Sequence, residues 1–301
     1  MHRLARLFPK SYNAPVSLSG PLRSGSKASN IVPHLQAPTL SFAKQSNHVR
    51  EVSEQLKQSG ILKITLGFPD NESKYLERLL LNLHHHHGHR LPITHSATRG
   101  WFWDIRPTST NFQTTNHQAR SETMANFPWH TDCSYEDPPP RYFALQVLRP
   151  DRYGGGTLSI LSVERLIKLL SPSSRATLVC PEYQISTPPE FSKDSIPQSI
   201  ISSLLATDEG GQASMLRFRE DILTPLSERA TQALNELKGV LESIRDSSQL
   251  TVNLTSEDLP EGSIILVDNR RWLHARTDVK DPERHLRRVR WDAIPFQNDL
   301  M

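Results

Sequence analysis

Only two cysteines, Cys133 and Cys180, occur in 301 residues. That excludes a disulfide scaffold and a zinc site built from several thiolates. No apolar run approaches 18 residues, which excludes a transmembrane helix. Acidic residues are missing from the first 50 positions, Glu51 being the first. No internal repeat and no Gly/Ser linker interrupts 46–301. Net charge is only +3, which by itself makes no case for nucleic acid.

What is present begins with a basic, serine-rich segment carrying Arg3, Arg6, Lys10, Arg23, Lys27 and Lys44. A mitochondrial transit peptide has this composition, and so has a disordered tail. Residues 1–45 are therefore set apart, and 46–301 is expected to form a single domain in a mitochondrial or cytoplasmic protein. In that domain VREVSEQLKQSG reads as a helix ended by Gly60, and ILKITLGF as a strand. Asp70 or Asn71 is placed to cap a second helix with Tyr75, Leu76, Leu79, Leu80 and Leu83 on one stripe. The histidine run His84–His87 reads as an exposed loop after it. RYFALQVL, GTLSIL, SMLRFRE, QLTVNL, GSIILVDN and HLRRVRWD read as strands. SERATQALNELKGVLESIR is the clearest amphipathic helix. Short strands dominate without regular βαβ alternation, so a mainly β core with flanking helices (α+β), a sandwich or barrel, is expected.

The chemistry concentrates in FPWHTDCSYED. In a strand His130 and Asp132 point the same way. With His274, in LVDNRRWLHAR, they can form a facial triad of two imidazoles and a carboxylate, which leaves positions open on a ferrous ion. From spacing alone, two half-buried histidines on sheet edges explain the pattern equally well. Cys133 alternates away from Asp132 and reads as a packed thiol. Period-2 counting then puts Arg284, Leu286, Arg288 and Arg290 on one face of the last strand, with His285, Arg287, Val289 and Trp291 on the other. Arginines facing a core need anions, and a guanidinium binds a carboxylate through two parallel bonds. A solvated edge strand is the competing reading, strongest for Arg287 and Arg290. Trp101, Trp103 and Trp129 are candidate pocket walls, with core packing favoured for at least two of them. Arg217 and Arg219 share a strand face, and structural salt bridges are their favoured reading.

WHTD, GGGTL and DNRRWLHAR followed by RHLRRV, in this order, resemble the Fe(II)/2-oxoglutarate-dependent dioxygenases of the taurine dioxygenase (TauD/TfdA-like) group, which includes clavaminate synthase-like proteins. The resemblance spans roughly 95–295. It implies a double-stranded β-helix (jelly roll), with iron on His130, Asp132 and His274. It places Thr157 and Arg284 on the distal carboxylate of 2-oxoglutarate. Arg288 competes for that role or, if Arg284 fills it, meets an anionic group of the substrate. The carboxylate at Asp132 sets the chain apart from halogenating relatives and implies hydroxylation or desaturation of a small organic substrate, with release of succinate and CO2. The partners expected are that small molecule and O2, with neither a membrane nor nucleic acid. The rivals are a mononuclear iron oxygenase that does not use 2-oxoglutarate and a non-catalytic jelly-roll binding protein. Substrate determinants are expected in loops 107–127 and 181–212.

Overall fold

The computed structural model describes residues 32–94, 100–107, 118–191, 198–207, 213–244 and 250–296. In chain order the strands are β1 His34–Ala37, β2 Ile61–Leu66, β3 Trp103–Ile105, β4 Phe127–His130, β5 Pro140–Arg149, β6 Leu158–Ser162, β7 Tyr183–Ser186, β8 Ser199–Ser202, β9 Leu205–Thr207, β10 Ala213–Leu216, β11 Leu223–Pro225, β12 Thr251–Leu254, β13 Ser263–Asp268, β14 Trp272–Arg276 and β15 His285–Ala293. The helices are α1 Ser46–Ser59, α2 Lys74–His87, α3 Val163–Ile167, α4 Pro172–Leu178 and α5 Glu228–Ser243.

Two sheets form the centre. The larger has the order β1-β2-β13-β5-β15-β3 and the smaller β12-β6-β14-β4. Ile105, Phe143, Val147, Leu158, Ile160 and Ile265 belong to the apolar cluster between them. The outer face of the larger sheet packs on α1 and α2 through Val52, Leu56, Leu76 and Leu79 against Leu62, Ile64 and Leu266. Beyond the smaller sheet, Leu161 and Leu273 pack with Leu178 of α4 and Leu237 and Leu241 of α5. This sheet-rich arrangement is the expected jelly-roll class, with helices outside. β13 is buried on both faces, and every one of its residues is buried. No helix among the described residues is long and apolar enough to cross a membrane.

Local chemistry accounts for the helix ends. Gly60 closes α1 in the left-handed conformation, its N–H bonded to the Leu56 carbonyl. Asp70 does the capping work at α2 from four residues upstream, accepting the Lys74 and Tyr75 N–H groups at 2.8 Å each. Ser227 caps α5 by accepting from Ala230 N–H.

Two expectations are corrected, and one competing reading is excluded. The fold reaches back past residue 46, because β1 pairs in parallel with β2 and Ala37 and Ala43 are fully buried. The earlier part of the basic segment lies outside the described residues. His84–His87 form the last turn of α2 rather than a loop, since Leu83 carries the apolar stripe into that turn. β15 is not a solvated edge strand: it lies between β5 and β3 and buries Arg290. The period-2 split itself holds. Arg284, Leu286 and Arg288 line an internal cavity, Val289 and Trp291 pack on the helical side, and His285 and Arg287 bind Asp104.

Candidate active site

β4 and β14 are antiparallel neighbours, with His130 directly opposite His274. This register alone brings two imidazoles together, their ring centroids 4.1 Å apart. β4 ends at His130, so Asp132 sits in the following turn and not on the strand from which its direction was expected. It still converges. Asp132 Oδ1 lies 3.8 Å from His130 Nε2 and 3.7 Å from His274 Nε2. One ligand atom from each residue falls within 4.8 Å of the other two, and all three residues are buried.

The surroundings fix that geometry. His130 Nδ1–H donates to the Pro128 carbonyl at 2.7 Å, which leaves Nε2 bare toward the other two residues. Phe127 stacks on the His130 ring, centroids 3.6 Å apart. Asn269, fully buried after β13, holds both backbone groups of Asp132. Its Oδ1 accepts Asp132 N–H at 2.7 Å and its Nδ2 donates to the Asp132 carbonyl at 2.8 Å. Sequence reading missed Asn269, because its partner is 137 residues away. Arg288 Nη1 donates to both Asp132 oxygens, at 3.0 and 3.2 Å.

The electrostatics prepare a cation site. Burial resists the charge on Asp132, but Arg288 and the two imidazoles outweigh it and hold the carboxyl well below the usual carboxylate range. Burial, and then His274, push His130 well below its ordinary value. An ionised carboxylate beside a neutral imidazole is what a divalent metal requires. Two nitrogen donors and one oxygen donor with an open side suit ferrous iron better than a closed tetrahedral zinc site.

The triad opens onto a cavity of about 90 Å³ between the two sheets, lined by Phe143, Leu145, Leu158, Leu286 and Arg284 among others. Arg284 is buried, yet its guanidinium makes no hydrogen bond or ion pair among the described residues. Burial and the nearby Arg276 push it down to about 10, so it stays cationic at neutral pH, and Asp151 opposes them. The GGGTL turn makes room for it. A Cβ on Gly156 would stand 2.8 Å from Arg284 Nε, and Gly156 has φ +62°. Asp151 seats this turn by accepting N–H bonds from Tyr153, Gly155, Lys280 and Asp281 at 2.7–3.1 Å.

Thr157 does not join this cavity. Gly156 and Leu158 line it, and the backbone of Thr157 instead pairs with Thr277, N–H to Oγ1 at 3.0 Å and carbonyl to N–H at 3.1 Å. Leu158 faces inward at the start of β6, so the alternating pleat turns Thr157 away. No tryptophan lines the cavity either. Trp129 packs on the α5 side, Trp101 against the α2 side, and Trp103 in the intersheet core, where its Nε1–H donates to Glu122 at 2.6 Å. Cys133 is a packed thiol outside the ligand set. A smaller compartment on the other side of the triad, about 30 Å³, is lined by Tyr135, Glu190, Arg219, Arg288 and Arg290. Arg219 there is held by Asp221 at 2.9 Å and Glu190 at 3.5 Å, the salt bridges expected of it. The stretches 108–117, 192–197 and 208–212 of the expected substrate loops lie outside the described residues.

A jelly roll with a buried His-Asp-His triad at its mouth defines a class of non-haem metal oxygenases. The family model for "Taurine catabolism dioxygenase TauD, TfdA family" matches residues 27–290, and the chain belongs to that family. Among curated proteins it is similar to the L-asparagine oxygenase of Streptomyces coelicolor (strain ATCC BAA-471 / A3(2) / M145), 31% identical over 152 residues, which are 50% of this chain and 41% of that protein. It is also similar to the 3-((Z)-2-isocyanoethenyl)-1H-indole synthase of Fischerella ambigua (strain UTEX 1903), 25% identical over 182 residues, 56% of this chain and 63% of that one. The matched region thus spans less than two thirds of either relative. Among solved structures, asparagine oxygenase with Fe(II), 2S,3S-3-hydroxyasparagine and succinate superposes with a TM-score of 0.63 at 20% identity, over 84% of this chain and 80% of that one. The non-haem iron oxygenase OrfP with iron and α-ketoglutaric acid gives 0.60 at 18% identity, over 86% of each chain. At these identities the structural likeness establishes the fold.

Proposed function

We propose that this protein is an Fe(II)- and 2-oxoglutarate-dependent dioxygenase that hydroxylates or desaturates a small organic substrate and releases succinate and CO2. The observation that carries the reading is the pairing of a preformed triad with a buried, unengaged guanidinium in one cavity. His130, Asp132 and His274 would hold the iron. Arg284 offers a planar donor fork suited to a carboxylate at the far end of a dicarboxylic acid. Iron with 2-oxoglutarate supplies the oxidising power, by coupling decarboxylation of the keto acid to oxidation of a C–H bond.

The chain's own residues do the rest. Phe127 stacks on the His130 ring, and Phe143 lies tilted against the His274 ring with centroids 4.6 Å apart, which restrains both imidazoles. Asn269 fixes the Asp132 backbone, and Arg288 fixes its carboxylate. Arg288 also has a buried Nε without a hydrogen-bond partner. A metal held by Asp132 would compete with Arg288 for the same carboxylate oxygens, and Arg288 would then have donors to offer an anionic group of the substrate. The likeness to an asparagine oxygenase makes free amino acids the first substrates to screen.

Anaerobic addition of Fe(II) and then 2-oxoglutarate to the purified chain tests the reading. A weak visible charge-transfer band is expected, absent in His130→Ala and His274→Ala. In Arg284→Met the band should need ~10–100-fold more 2-oxoglutarate, as befits the loss of about 1.5–3 kcal/mol from a charge-assisted bond. Iron binding without the band would instead favour an oxygenase that does not use 2-oxoglutarate.

A further inference from the structure

In β6, Leu158 stands opposite Leu254 of β12 on one side and Arg276 of β14 on the other. All three residues line the triad cavity. One row further along, Thr157 and Thr277 exchange their bonds. In the next row Gly156 N–H donates to the Asp278 carbonyl at 2.8 Å. Side chains alternate along a strand, so this row faces the cavity again. Gly156 confirms the direction, because a Cβ there would point at Arg284 Nε. Counting two residues past Leu254 sets Ser256 beside Gly156, and Ser256 does line the cavity.

A carboxylate has about four acceptor positions, and a guanidinium fork fills two of them. Other donors are scarce around Arg284. Gly155 N–H goes to Asp151 and Gly156 N–H to Asp278. The Arg276 guanidinium is held by the carbonyls of Ser121, Thr123 and Ala125. Thr255 Oγ1 donates to Asp258 Oδ2 at 2.9 Å. Ser121 also lines the cavity, but it borders the smaller compartment too, together with His130 and Asp132, and so belongs to the triad end. Ser256 is half-buried, borders the larger cavity alone of the two, and its hydroxyl makes no hydrogen bond among the described residues.

We infer that Ser256 is a further co-substrate residue, whose hydroxyl donates to the same far carboxylate as Arg284. This is the part that the family resemblance gives to Thr157. Here the neighbouring strand supplies it, since the pleat that turns Thr157 outward turns Ser256 inward. The inference rests on the 2-oxoglutarate reading above.

Anaerobic titration of the Fe(II)-loaded full chain tests it, with the visible charge-transfer band as the readout and two keto acids as probes. 2-Oxopentanoate can chelate iron as 2-oxoglutarate does but lacks the far carboxylate. Ser256→Ala should need about 3–10-fold more 2-oxoglutarate, the range for one lost hydrogen bond. Its affinities for 2-oxopentanoate and Fe(II) should match those of the wild type, which a merely structural role would not predict. Thr157→Val should bind 2-oxoglutarate as the wild type does. Unchanged 2-oxoglutarate affinity in Ser256→Ala, with Arg284→Met still weakened, would overturn the role of Ser256 and leave the 2-oxoglutarate reading standing. An equal loss for both keto acids, or a loss in Thr157→Val in place of Ser256→Ala, would also overturn it. No band from 2-oxoglutarate in the wild-type chain would remove that reading and this inference together.

Discussion

Asn269 shows how much of a metal site can rest on a residue that never touches the metal. It contributes no ligand, but its amide holds the turn that carries Asp132. Asn269→Ala should weaken Fe(II) affinity by roughly 10–100-fold, the usual cost of losing such outer support, with the far-ultraviolet circular dichroism unchanged. Gly156 is the matching case on the co-substrate side. Gly156→Ala forces a Cβ against Arg284 Nε at a backbone angle that favours glycine. Apparent affinity for 2-oxoglutarate should fall while Fe(II) binding is retained, as paired titrations would show. His130, Asp132, His274, Arg284 and Arg288 were legible through the order of the motifs, although Asp132 lies in a turn and not on the strand whose period-2 spacing suggested it. Asn269 and Asp151 were not, since the partner of Asn269 lies 137 residues away and two of the four donors to Asp151 lie about 130 residues away. Thr157 was misplaced because its direction depends on where β6 begins, which GGGTL does not disclose.

Among the elements, β15 does two jobs with its two faces. The inward face presents Arg288 to the cavity, which Arg284, just before the strand, also lines. The outward face joins β3 through Asp104, which accepts from His285 Nε2 and Arg287 Nε at 2.8 Å each. The His285 bond and then Arg287 hold the Asp104 carboxyl well below its ordinary range, against a smaller opposing effect of burial. A depressed carboxyl contributes stability above its unfolded pKa and loses it as pH falls through the folded value. Asp104→Asn should therefore cost up to about 1 kcal/mol near neutrality, a figure kept small because the pair is half exposed. The difference from wild type should begin to narrow below about pH 4, and keep narrowing as pH falls further, in urea unfolding curves. Helices were easier to read than edges. α5 declares its stripe of Ala230, Ala233, Leu234, Leu237 and Leu241, all buried as read, and Leu237→Ala should cost about 2–5 kcal/mol. β1 declares nothing, because HLQA has no periodicity of its own and is a strand only through its pairing with β2.

Across the whole molecule the two sheets and their helical covers make a rigid frame in which the triad sits at a margin. β4 is the outermost strand of the smaller sheet, joined to it only through β14. Its free side is met at two points, where His130 bridges Arg219 and Thr131 bonds Phe218. An outermost strand of four residues is the kind of segment that opens first under native conditions. A metal bound by His130 and His274 would tie that strand to its neighbour across the same rung of the ladder. Iron would then act as a clasp as well as a reactant. In hydrogen–deuterium exchange, adding Fe(II) should slow the amides of 127–132 selectively, leave those of β13 at their already low rates, and have no such effect in His274→Ala.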